Sequence, residues 1–430
     1  MNQNDQVDEF ISMVKDGELS VQYNDNIINL QFLSQLNITR LNLDYCQKIQ
    51  INSLTIPLEN ICINSCKQYT LDGINHQYNL KTLKFSKNIP PSYVCGYDNL
   101  SVDISALQNM VQLTSLDLSC NRLKDISALR QLVNLTYLNL EQNDIIDINM
   151  LKDMVKLEYL NLRLTEQKDI SVIKQFVNLK EFNISQNSEV DTLPLHEMYS
   201  LTALNLNVTY PKDISIINQL TKLQILNLAD NQIILGRLPK WQYKDCITEI
   251  WCLKTLVNVE QLSLFSNAIS DIQVLKYMPH LTHLSLSDNK IINIDSLSTL
   301  TNLQVLSLSQ NRIIDISALE KLVTLTRLDF TQNKIQSFLS LQMHPNQASY
   351  NISDQQQPTR DEILFSLKLK LIIKQNKRFE LIKLRRIFNQ FKEVRKRICT
   401  SLQRSYACHE QFTTSVVSIF EELNEVEQQQ

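Results

Sequence analysis

The chain has 430 residues, 43% of them hydrophobic, and a formal net charge of -3. A charge so near zero gives no general pull toward nucleic acid or an anionic membrane. Four glycines are too few for the clustered glycine loops that bring backbone amides to a phosphate, which argues against a P-loop, a dinucleotide fingerprint or a kinase glycine loop. The charge is also uneven: residues 361–430 carry thirteen Lys or Arg against nine Asp or Glu, so a basic tail follows an acidic body.

The N-terminal Met1-Asn2-Gln3-Asn4-Asp5 has no basic stretch ahead of an apolar run, so no secretory signal is expected. No apolar stretch approaches the roughly 18 residues of a membrane span. The nine cysteines lack metal-ligand spacing, and free thiols in a cytoplasmic protein are expected, although Cys246 and Cys252 leave a disulfide open. Residues 1–30 read as a helical cap, with Phe10, Ile11, Met13 and Val14 on the apolar side of a short helix over 7–15.

From 31 to 340 one phrase returns. It reads Leu113-Leu116-Leu118-Asn121-Leu123, then Leu135-Leu138-Leu140-Asn143-Ile145, and again at Leu281 to Ile291 and Leu303 to Ile313. A fixed period in this range marks a solenoid, whose repeats bury their apolar sides against one another. Leu116 and Leu118 flank Asp117, the alternation of a strand. Asn121 marks a turn in which an inward amide can satisfy buried backbone groups. Leu129 and Leu132 then follow Asp125-Ile126-Ser127 at three-residue steps, which suits a short 3₁₀ helix with Asp125 as its N-cap.

Three weaker units begin near Ile38, Leu58 and Leu80. Ten regular ones begin at 113, 135, 157, 179, 201, 223, 259, 281, 303 and 325, about thirteen in all. Cys46 and Cys66 stand on the Asn column and read as structural. Thr165 and Thr209 replace the Asn, with Gln167 and Pro211 after them, so these turns are predicted to be less well tied. Insertions interrupt the period near 88–98, with Pro90, Pro91, Tyr93 and Tyr97, and near 235–248, with Trp241 and Tyr243.

The phrase resembles the leucine-rich-repeat family in its 22-residue class, typified by a regulatory subunit of a type-one protein phosphatase and by bacterial internalins. The resemblance is most specific over 113–335. It implies an α/β solenoid: a curved leucine-rich-repeat horseshoe with a concave parallel sheet and convex short 3₁₀ or α segments. Residues 341–360, rich in Gln, Asn, Ser and Pro, read as a linker. Residues 361–430 read as a basic helical tail, with the apolar stripe Leu384, Ile387, Phe391, Val394 and Ile398. Its two heptads suit a cap on the last repeat or a coiled-coil pairing; a membrane-surface or calmodulin-type role is the alternative.

No residue nominates itself for catalysis, cofactor binding or metal binding. His280 and His283 form an isolated H-x-x-H, and the expectation is a protein that is not an enzyme and takes no cofactor. Sparse aromatics in the tail give no reason to expect nucleic acid. Asn-x-Ser/Thr sequons, among them Asn37, Asn134, Asn183, Asn207 and Asn351, are expected by chance in so Asn-rich a chain.

What remains is surface. A polar column, Asp117, Asn139, Asn161, Asn183, Asn205, Asn227, Ser263, Ser285, Ser307 and Asp329, is expected on the strand face, its amides bonding one another. Tyr137, Tyr159, Arg163, Phe265, His283 and Arg327 flank it. Tyr93, Trp241 and Tyr243 lie in the insertions, which should share one rim about 30 Å apart. Tyr, Trp and Arg dominate binding hot spots, and loops on rigid scaffolds carry function. The expected function is a non-catalytic scaffold that grips a protein partner with these residues. The alternatives are a phosphatase regulatory subunit, an internalin-type surface or secreted adhesin, and a membrane-surface adaptor working through the tail.

Overall fold

The computed structural model describes residues 10, 12–22, 27–46, 48–50, 54, 56–66, 71, 73–86, 101–211, 213–231, 247–335, 341 and 350–351. The insertion residues Tyr93, Trp241 and Tyr243, Cys246 and the whole tail from 361 lie outside these. The chain divides into two compact units, the first 1–247 with 251–263, the second 248–250 with 264–430.

The first unit holds β1 (Glu18–Gln22), β2 (Ile27–Asn29), β3 (Arg40–Asp44), β4 (Lys48–Gln50), β5 (Asn60–Asn64), β6 (Thr82–Ser86), β7 (Ser115–Asp117), β8 (Tyr137–Asn139), β9 (Tyr159–Asn161), β10 (Glu181–Asn183), β11 (Ala203–Asn205), β12 (Ile225–Asn227) and β13 (Gln261–Ser263). Apart from the pair β2–β4, they form one parallel sheet in chain order. The second unit holds β14 (His283–Ser285), β15 (Val305–Ser307), β16 (Arg327–Asp329) and β17 (Tyr350–Asn351), again parallel. From Ser105–Leu107 to Ser317–Lys321 each repeat returns through a 3₁₀ helix, as the three-residue steps predict. The two apolar lines meet inside: Leu116, Leu118, Leu129 and Leu132 are fully buried.

The repeat series starts earlier and ends later than the sequence suggests. Leu19 and Val21 of β1 register with Leu41 and Leu43, inside the stretch read as a helical cap. Tyr350 of β17 registers with Leu328, inside the stretch read as linker. In both places the strand forms without the full leucine phrase; β1 does so on the buried Leu19 and Val21. Of the expected cap helix, Phe10 is buried and Met13 exposed.

The Asn column ties neighbouring repeats. The Asn143 amide donates to the carbonyls of Leu140 at 2.8 Å and, one repeat back, Leu118 at 3.0 Å. Its side-chain carbonyl accepts the N–H groups of Asn121 and Leu123. Asn289, Asn311 and Asn333 repeat the pattern in the second unit. At the start of the chain sulfur takes over: Cys46 N–H donates to Cys66 Sγ at 3.3 Å, and Cys66 Sγ lies 3.7 Å from the Leu43 carbonyl. The hydrogen bond with Cys46 and burial hold the Cys66 thiol far above the ordinary thiol range, so it stays protonated.

The two variant turns are better tied than expected. The Thr165 hydroxyl donates to the Leu162 carbonyl at 2.6 Å, the bond an Asn amide makes within its own turn. The bond to the preceding repeat passes to Gln167, whose buried amide reaches the Ile145 carbonyl. At the second site Pro211 has no N–H to offer. Asn231 Oδ1 instead accepts the N–H groups of Thr209 at 3.0 Å and Tyr210 at 2.8 Å.

The aspartates ahead of the 3₁₀ helices act one residue farther out than an N-cap. Ile126 enters the 3₁₀ helix, while Asp125 Oδ1 accepts the Ser127 N–H at 2.8 Å. Asp103, Asp147, Asp169 and Asp213 do the same in the first unit, and Asp271 and Asp315 in the second. The residue before each column Asn is left-handed although none is glycine: Cys120, Gln142, Gln186, Asp230, Asp288 and Gln310 lie at φ 52–61°, and Leu164 and Val208, ahead of the two Thr, at 53°. This conformation costs an L-residue roughly 1–2 kcal/mol, so the turn hydrogen bonds must hold it in place.

Candidate functional site

Strand alternation sets Tyr137 and Asn139 on one face of β8, and Tyr159 and Asn161 on the same face of β9. Parallel pairing aligns Tyr137 with Tyr159. Neighbouring strands lie about 4.8 Å apart, close to the separation of stacked rings, and the two tyrosines stack with centroids 4.3 Å apart and planes 9° from parallel. Both rings are half-buried. Burial is the main cause that pushes both hydroxyls above the usual tyrosine range; the neighbouring Tyr159 and the carboxylate of Asp117 add to it at Tyr137.

A polar network borders the stack. Glu141 pairs with Arg163 and accepts a hydrogen bond from Asn161 Nδ2 at 3.0 Å. Arg163 donates onward to Gln186 Oε1 at 2.6 Å and is itself fixed by its backbone N–H to Asn161 Oδ1. Its guanidinium is therefore held across β8, β9 and β10, and its planar fork is partly spent inside the protein. On the far side Lys84 lies 3.9 Å from Asp117.

The central polar column behaves differently from expectation. Its carbonyls mainly bond their own chain two residues on: Asn139 to Glu141 N–H at 3.1 Å, Asn183 to Ser185 at 3.1 Å, Asn205 to Asn207 at 3.0 Å, Asn227 to Ala229 at 3.0 Å. Asp117 and Asp329 do the same. The column is thus a row of local turns that ends each strand, in which the side-chain carbonyls are engaged.

Of the residues singled out from sequence, the structure gathers Tyr137, Tyr159 and Arg163 in adjacent repeats. Phe265, His283 and Arg327 belong to the second unit and are exposed there. Val305 stands between His283 and Arg327 in the register, so these two are not neighbours. The His283 ring bonds the Thr282 hydroxyl at 3.0 Å. Sequence reasoning passed over Glu141 and Gln186. The signal was available: Glu141 and Arg163 are opposite charges exactly one period apart, a cross-strand pair in a parallel ladder. Among the described residues no group of three or more His, Cys, Asp or Glu is disposed to hold a metal ion, and no helix is long and apolar enough to cross a membrane. Cys252 carries a free thiol.

Family models match in two regions: one described as leucine-rich repeat over residues 98–145, and one described as leucine-rich repeats in two copies over 257–299 and 301–342. No curated protein matches the chain in sequence. Among solved structures, the chain is similar to an internalin from Listeria monocytogenes, at 24% identity and TM-score 0.57, over 81% of this chain and 89% of that one. It is similar to a leucine-rich-repeat protein of Leptospira interrogans, at 21% identity and TM-score 0.62, over 85% and 96%. A further internalin domain of Listeria monocytogenes, whose structure includes a cysteine ladder, aligns at 19% identity and TM-score 0.55, over 73% and 63%. With its periodic strands, 3₁₀ returns and column of turn asparagines, the chain is a leucine-rich-repeat protein.

Proposed function

We propose that this chain is a non-catalytic scaffold that binds a protein partner on the strand face of its first unit, centred on Tyr137 and Tyr159. The observation that carries this reading is the stacked tyrosine pair itself. Two aromatic rings are held half-exposed against each other on a rigid sheet, with the Glu141–Arg163–Gln186 network in the same run of repeats. Such anchors lose little conformational freedom on binding and suit the centre of an interface. The reading places the scaffold in the cytoplasm, with support from the free thiols of Cys62, Cys66 and Cys252.

The test is affinity capture from native lysate with the full chain, the Tyr137→Ala/Tyr159→Ala variant and the Arg163→Ala variant. A partner retained by the full chain and lost from the tyrosine variant is the expected result. The same partners recovered at the same yield by all three would end this reading.

A further inference from the structure

We propose that the exposed aliphatic edge formed by Val111, Val133, Val155, Val177 and Tyr199 is a docking rail for an amphipathic α-helix of a partner protein that carries acidic residues along one border. These five residues occupy the same place in five consecutive repeats, two positions ahead of the first leucine. The residue before each, Met110, Leu132, Met154, Phe176 or Met198, is buried in the core, whereas the five themselves are exposed, from 37% at Val133 to 66% at Val177. Scattered exposed apolar residues need no explanation, but an unbroken line does.

The fold does not demand valine here. Thr221 and Thr301 hold the same place in other repeats, Val257 and Val323 in two more, and threonine has the shape of valine with a hydroxyl in place of one methyl. Five successive apolar choices at a solvent-facing position where threonine also serves point to a contact made on that edge.

The rail is fixed in register. Asn134 Nδ2 donates to the Val111 carbonyl at 2.8 Å, Asn178 Nδ2 to the Val155 carbonyl at 3.0 Å, and the Ser200 hydroxyl to the Val177 carbonyl at 2.8 Å. These carbonyls are already engaged, which disfavours a partner that adds as a β-strand. Spacing points the same way. Repeats advance about 4.8 Å each, whereas same-face residues of a strand advance about 6.8 Å and drift out of step within two positions. One turn of an α-helix advances about 5.4 Å, so three to four turns can follow five side chains.

Charge selects among helices. Arg130, Lys152 and Lys174 are exposed three residues ahead of Val133, Val155 and Val177, forming a basic row parallel to the aliphatic one. Lys156 adds to it, reaching Asn134 Oδ1 at 2.7 Å. Asp153 and Glu197 offset part of this charge, the latter 3.7 Å from Lys174. The balance remains positive on a body that is acidic as a whole, and it fits carboxylates along one border of the helix.

A dye-labelled synthetic peptide of about eighteen residues, with leucines on one helical stripe and glutamates along one border, is titrated with the full chain by fluorescence anisotropy. The Val133→Thr/Val155→Thr/Val177→Thr variant should bind it at least about tenfold more weakly, and a peptide with lysines in place of the glutamates should lose a similar factor. The melting temperature of the triple variant should match that of the parent chain, since threonine already serves at 221 and 301. Lys152→Glu, which leaves the valines untouched, should weaken the glutamate peptide and strengthen the lysine peptide. Equal affinity of parent and triple variant, or no binding of the glutamate peptide up to about 1 mM, would overturn the proposal. So would valine-dependent binding to phosphatidylserine vesicles without binding to the peptide, which would assign the edge to a lipid surface.

Discussion

The side-chain carbonyl of Asn143 accepts the backbone N–H of Leu123 at 2.9 Å, twenty residues back in the preceding repeat. The same oxygen accepts the Asn121 N–H, and the amide holds two buried carbonyls. Asn143→Leu keeps a similar branched shape but leaves these groups unpaired in the core. Urea denaturation should show a loss of about 3 kcal/mol or more. Asn143→Cys should cost less, because sulfur fills this role at Cys66.

Acid should weaken the turns that enter the 3₁₀ helices. The Asp213 carboxyl is held below the usual carboxylate range, first by the Ser215 N–H and then by the Ser215 hydroxyl; Asp103 is lowered in the same way by Ser105. A lowered folded-state value means that the stabilisation is complete above the ordinary carboxylate range and fades as pH falls through the folded-state value. Asp213→Asn keeps an acceptor for the turn, as Asn293 does for the Asp295 N–H at 2.7 Å. Melting curves at neutral and acid pH should show a smaller acid loss for Asp213→Asn than for the parent chain.

Alkali should act on the tyrosine stack. The Tyr137 hydroxyl titrates above its ordinary value, chiefly through burial and the nearby Tyr159. The neutral form is the one the fold favours, so its contribution is complete below about pH 10 and is lost as pH rises from there toward the folded-state value. Ultraviolet titration should find Tyr137 and Tyr159 among the tyrosines that ionise late, and Tyr159→Phe should shift Tyr137 back toward the ordinary range. A Tyr137 transition unchanged by that substitution would contradict the stacked geometry.

Val208 is β-branched and left-handed, with φ 53°. Asparagine tolerates this conformation far better. Val208→Asn should stabilise the chain by roughly 0.5–1 kcal/mol, read as a rise in the urea midpoint, even though it removes a half-buried aliphatic group.

Much of this architecture could be read from the residues because one spacing governs both chain and space. Residues one period apart become strand neighbours, so Leu116 and Leu138, or Tyr137 and Tyr159, are adjacent by arithmetic. The terminal strands were missed because Leu19-Val21 and Tyr350 lack the turn asparagine that makes the phrase conspicuous. The strength of the Thr165 turn was missed because the compensating group, Gln167, sits in the place of a core isoleucine. Glu141 and Gln186 escaped notice because each looks like an ordinary surface residue until paired with Arg163. The valine edge was hidden by its neighbours: Met110-Val111 or Phe176-Val177 reads as a continuous apolar core, and only side-chain direction separates the buried member from the exposed one.

The asparagine bonds have a direction. At Asn121, Thr165, Thr209, Asn267, Asn289 and Asn311 the side-chain carbonyl that accepts from the turn belongs to the Asn one repeat downstream. A chain emerging from the ribosome can therefore close the turn at Asn121 only after residue 143 has appeared, so the array should consolidate one coil behind synthesis. A stalled product would expose an unfinished coil at its trailing end until the next repeat is made.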